Sequence, residues 1–132
     1  ITIKKLTDDF HNKNINLFTF PEGTNSILKN KILKDRIQLR SIKLIEKFLN
    51  KSKEIQIIPV GISYDKKPNS LGNINLGSPI ILKNENNTIN CIINEKIHEI
   101  GKSGLTKTHN RLQTVLADIL QENIEKSKNL PE

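Results

Sequence analysis

Apolar residues along this chain cluster in short runs separated by polar stretches, and the spacing inside each run predicts an element. Residues 15–20 (INLFTF) read as a buried strand, and residues 55–64 (IQIIPVGISY) are nearly continuous in apolar side chains, as a strand covered on both faces would be. Pro59 interrupts the second run; a proline cannot donate to a ladder, so it suits an edge, a bulge or a site. Between the two runs, Ile37, Leu44, Ile45, Phe48 and Leu49 fall on one stripe of a helix over 35–49, with Asp35 as its N-cap. Downstream, residues 73–76 and 80–83 read as short strands separated by Gly77-Ser78-Pro79, which is turn chemistry. Residues 84–87 (NENN) turn the chain into a strand at 89–93, and 101–104 break it again. Leu112, Val115, Leu116, Ile119, Leu120 and Ile124 form the stripe of a last helix, capped by Thr106 or Thr108 and fraying after Lys126. Residues 1–14 suit the tail of a helix running into a loop, 25–34 a surface loop or helix start, and 65–72 a loop.

Strand, helix, strand with two buried-type strands implies a parallel crossover. The expected fold class is α/β or α+β, with a mixed, partly parallel sheet flanked by helices. No internal repeat or low-complexity linker divides the 132 residues, which fit one domain or part of one. The chain starts at Ile1 and contains no Met, so we expect a fragment of a longer protein. No signal-peptide pattern opens it, and no apolar run approaches the roughly 18 residues of a spanning helix.

The net charge of +7 invites a nucleic-acid reading. The excess is nearly all Lys, however, with only Arg36, Arg40 and Arg111, and Arg is the usual reader of phosphates and base edges. We therefore expect no nucleic-acid partner; the charge favours anionic membranes or acidic carrier molecules instead. Cys91 stands alone in an apolar alternation and reads as a buried structural thiol, with no disulfide and no Cys-based metal site. His11 and His109 read as solvated and His98 as half-buried.

Candidate chemistry concentrates where the first strand ends, in residues 20–26 (FPEGTNS). Ligands bind outside the carboxyl ends of parallel strands. There Gly23 lets the backbone approach a ligand, Thr24 and Ser26 offer hydroxyls, and Glu22 is a charged acceptor suited to a glycerol-like hydroxyl. Lys29, Lys31, Lys34 and Arg36 follow as positive charge for a phosphate. Without a ligand, the same residues make a polar turn and a solvated lysine face.

The run LFTFPEGTNS followed by IIPVGISYD resembles the glycerolipid acyltransferase family, which includes glycerol-3-phosphate and 1-acylglycerol-3-phosphate acyltransferases. The first run resembles that family's third motif block, ending FPEGTRS, and residues 57–62 resemble its fourth, an apolar run around a proline. The resemblance implies transfer of a fatty acyl group from acyl-CoA or acyl-carrier protein to a glycerol-phosphate or lysophosphatidate hydroxyl, with no further cofactor and no metal. It implies substrate-binding roles for Phe20, Pro21, Glu22, Gly23, Thr24, Asn25 and Ser26, and for Pro59 in shaping the site or the acyl pocket. It further implies a protein on the cytoplasmic side of a membrane, peripheral or anchored through upstream sequence. The family's catalytic His and Asp sit in an HxxxxD block, the His acting as general base and the Asp orienting it. No such block occurs here: five residues after His11, His98 and His109 stand Asn16, Ser103 and Thr114. The block precedes FPEGT in the family, so residues 1–132 are expected to form the C-terminal part of one acyltransferase domain, inactive alone. Asn25 replaces the family's usual arginine and brings no charge to a phosphate. The other classes open to the sequence are a basic binding module for nucleic acid or anionic lipid, and a catalytically inactive family relative.

Overall fold

A computed structural model of the protein describes residues 3–13, 16–18, 37–64 and 72–128. Three helices, α1 (Ile3–Lys13), α2 (Leu39–Ser52) and α3 (Thr106–Lys128), accompany six strands. The strands are β1 (Glu54–Ile57), β2 (Val60–Tyr64), β3 (Gly72–Leu76), β4 (Ile80–Glu85), β5 (Thr88–Ile93) and β6 (Lys96–Lys102). They form a four-stranded sheet in the order β1-β4-β5-β6 and a separate β2-β3 ribbon.

Every pairing among the described strands is antiparallel, which corrects the expected partly parallel sheet for this portion of the chain. The local cause is plain in the turns. Asn86 and Asn87 (φ 52° and 63°) and Asn94 and Glu95 (φ 51° and 68°) both take positive φ at two successive positions, the requirement of a tight two-residue hairpin. Such hairpins join β4 to β5 and β5 to β6, and they can only make antiparallel neighbours. The first of these turns lies within the stretch expected to turn; the second, and with it β6, was not expected. Glu95 is an uncommon residue for positive φ, so the sequence signal there is weak. Residues 16–18, the middle of the expected first strand, have no regular secondary structure, and residues 15, 19 and 20 lie outside the described residues.

The run 55–64 is two strands in two different sheets rather than one. β1 pairs with β4, and β2 pairs with β3. The break falls at Ile58-Pro59, where the missing N–H of proline ends the ladder.

Alternation along the sheet decides where the core lies. In β4, Ile80, Leu82 and Asn84 are buried and alternate with half-buried Ile81 and Lys83. The buried residues Ile55, Ile80, Leu82, Ile89, Cys91 and Ile100 share one cluster with Ile42, Phe48 and Leu49 of α2 and Leu112, Leu116 and Ala117 of α3. α1 packs on α2 through Phe10 and Phe48, whose ring centroids are 4.7 Å apart and tilted by 52°. α2 begins later than expected, with Gln38 at its N-cap position and no side-chain cap bond; Asp35 lies outside the described residues. α3 continues to Lys128, past the point where fraying was expected. Neither Thr106 nor Thr108 precedes the helix as a cap: Thr106 is its first residue, and the Thr108 hydroxyl donates to Lys102 O at 2.6 Å, tying the helix to the end of β6.

Candidate functional site

Of the residues expected to bind substrate, Pro59 is described; Phe20, Pro21, Glu22, Gly23, Thr24, Asn25 and Ser26 lie outside the described residues. Pro59 is fully buried and sits at the junction of the two sheets. Its carbonyl accepts a hydrogen bond from Gly77 N at 2.8 Å, so the chain leaving β3 is clamped to the chain entering β2. Two glycines make that junction possible. A Cβ on Gly61 would lie 2.1 Å from the backbone O of Asn123, and one on Gly77 would lie 2.5 Å from Asn123 Oδ1 and 2.7 Å from Pro59 Cγ. No side chain fits at either position without moving backbone or ring atoms.

Asn123 is the centre of this junction and was not singled out from the sequence, where it looks like one more polar residue on the last helix. It is only 4% exposed. Its Oδ1 accepts from Asn75 Nδ2 at 2.7 Å and its Nδ2 donates to Ile119 O at 2.8 Å. The ribbon thus presents its small and polar face, Gly61 and Asn75, to α3. Its opposite face is apolar and open, with Ile74 and Leu76 at 60% and 70% exposure. The signal that would have exposed this inversion is the alternation in GNINL, where Asn73 and Asn75 share one face and Ile74 and Leu76 share the other.

A second polar constellation joins α2 to the β6–α3 turn. His109 is buried, not solvated: its Nε2 lies 2.7 Å from Glu46 Oε2, which also accepts from Gly104 N at 3.1 Å. Beside it, Asn50 Oδ1 accepts from Asn84 Nδ2 at 2.9 Å and from Ser103 Oγ at 3.2 Å, while the buried Asn84 Oδ1 has no partner. His98 is exposed, not half-buried, and His11 is exposed with Nδ1 3.2 Å from Ser52 Oγ. The three imidazoles therefore play three separate structural or surface parts, and none is paired with an aspartate in the described residues. Cys91 is fully buried, as expected, and burial pushes its thiol up from 9.0 to about 11.

A groove of about 540 Å3 runs between β6 and α3, lined by Ile93, Ile100, Val115 and Ile119 together with the exposed His98 and Arg111. It contains none of the expected site residues. No group of three or more His, Cys, Asp or Glu able to hold a metal ion, and no helix long and apolar enough to cross a membrane, occurs among the described residues. Compared with protein-family models, curated proteins and solved structures, the chain returns no significant match.

Proposed function

We propose that this chain is part of a glycerolipid acyltransferase, and that it supplies the acceptor side of the active site. The observation that carries the reading is the order FPEGTNS, then IIPVGISYD, each block beginning or ending an apolar run. The packing around Pro59 supports it, because a proline fully buried between two glycine-mediated contacts is a fixed wall and not a random loop residue.

In this reading Gly23 lets the backbone approach the acceptor. Glu22 accepts a hydrogen bond from the acceptor's hydroxyl group, and Thr24, Asn25 and Ser26 donate to its phosphate. An upstream histidine removes the proton from the attacking hydroxyl. The oxygen forms a bond to the acyl carbon, the carbon–sulfur bond breaks, and the proton passes to the departing thiolate of coenzyme A or the carrier protein. Basic surface charge draws in the acidic donor and the anionic membrane that holds a lipid acceptor.

The test uses the longer protein this reading requires, one with an HxxxxD block ahead of residue 1. Glu22→Ala removes a charged hydrogen bond worth about 1.5–3 kcal/mol. The acceptor-dependent acylation rate then falls about 10- to 150-fold. An unchanged rate takes Glu22 out of the site and the proposal with it. An upstream sequence without the histidine would favour the inactive relative.

A further inference from the structure

Beside the Phe10–Phe48 contact, the α1–α2 face carries side chains that can donate hydrogen bonds. A cleft of about 400 Å3 there is lined by Lys4, Thr7, Lys47, Asn50 and Lys51. No carboxylate lines it. Lys51 has a partner in Asp8, Nζ to Oδ1 at 3.4 Å, but neither Lys4 nor Lys47 has a carboxylate partner among the described residues. Asn50 adds a fixed donor. Its Oδ1 already accepts from both Asn84 Nδ2 and Ser103 Oγ, which sets the orientation of the amide and leaves Nδ2 as the atom available to a ligand. The Thr7 hydroxyl is held against Lys4 O at 2.9 Å, so that side of the cleft is ordered too.

Packing α1 on α2 brings Lys4, Lys47 and Lys51 to one cleft, and Asp8 offsets the charge of Lys51 alone, so an anion there is favoured. Sequence alone gives no reason for it, since Lys4 and Lys47 stand far apart in the chain and line one cleft only once α1 packs on α2. We propose that this cleft binds a phosphate group, as free orthophosphate or as the phosphomonoester of an anionic lipid headgroup. Lys4 and Lys47 supply the charge, Asn50 Nδ2 supplies a directed hydrogen bond, and Lys51 exchanges between Asp8 and the phosphate. None of these residues belongs to the blocks that carry the acyltransferase resemblance, so this site and the proposed acceptor site stand or fall separately.

The experiment titrates inorganic phosphate into the protein at constant ionic strength, with chloride as the balancing anion, and follows backbone and side-chain amide resonances. Saturable shifts centred on Lys4, Thr7, Lys47, Asn50 and Lys51 are expected. Lys47→Gln weakens binding about threefold and the Lys4→Gln, Lys47→Gln pair about tenfold, the scale of exposed charge pairs. Lys96→Gln, on the exposed end of β6, leaves it unchanged. Both substitutions relieve like-charge repulsion, and a melting temperature at or above the wild type shows that the variants fold. A second arm uses phosphatidylcholine vesicles with and without phosphatidic acid. Binding that depends on phosphatidic acid and on Lys47 assigns the headgroup as the source, and binding of orthophosphate alone assigns the free anion. Non-saturating shifts, shifts reproduced by chloride alone, or a double variant that binds as the wild type does would overturn the proposal.

Discussion

Burial of one thiol and one imidazole–carboxylate contact shows how single residues take their properties from the fold. Cys91 has no exposed surface, and the cost of placing a thiolate there lifts its ionisation to about 11 from 9.0. The folded protein holds that proton more tightly than the unfolded chain does. Its contribution to stability is therefore fully present below pH 9 and is lost as the pH rises through 11. Two units correspond to about 2–3 kcal/mol. Denaturant unfolding at pH 8, 9.5 and 11 should show the wild type losing that much more than Cys91→Ala, which cancels the titration of all other groups; parallel pH profiles for the two proteins would disprove it. His109 makes the complementary point. A histidine near the start of the last helix looks solvated in sequence, because nothing local covers it; Glu46, 63 positions away, does so in the fold. A buried imidazole with a carboxylate and a backbone N–H on the same oxygen is a satisfied network, and such networks define one arrangement of the elements they join.

At the scale of elements, the decisive feature is the change of sheet at Ile58-Pro59. A ten-residue apolar run suggested one long strand over 55–64. The chain instead uses proline to end β1 and starts β2 in a ribbon that rests on α3 through Gly61 and Asn123. Gly61→Ala puts a methyl group 2.1 Å from a helix backbone oxygen, an atom that cannot rotate aside. We expect a loss of about 1–3 kcal/mol or more, read as a lower midpoint in urea with the slope unchanged. A loss under about 0.5 kcal/mol, the range of ordinary surface changes, would mean that the ribbon and α3 are not in close contact. The hairpins were legible in part. Asparagine pairs tolerate positive φ because their short side chains bond locally, so 84–87 announced a turn. Asn94-Glu95 did not, and β6 was missed with it.

For the whole molecule, the apolar face of the β2-β3 ribbon and the lysine cleft between α1 and α2 are the two surfaces that local sequence did not announce. Leu76 is 70% exposed on the open face. If that face stays open, Leu76→Lys changes stability by no more than about 0.5 kcal/mol, read from the midpoint of urea unfolding. A loss of about 2 kcal/mol or more, the cost expected for a large side chain withdrawn from a packed contact, would instead show that the face is covered in solution. The apolar composition of 35% is enough to close a core on one side of the four-stranded sheet, and the residues that do so were mostly visible as helical stripes. Ile42 of α2 was not in the expected stripe and is fully buried.

The sequence by itself determined the helices, most of the strands, the buried Cys91 and the two motif-like blocks, because periodicity and turn chemistry act over a few residues and need no distant partner. Only the tertiary structure decided the antiparallel pairing, the division of 55–64 between two sheets, the Glu46–His109 pair, the Asn123 junction and the placing of Lys4 and Lys47 on one cleft. Each of these depends on which surfaces are brought together across tens of residues, and that choice is made by the burial of the whole core rather than by any one segment.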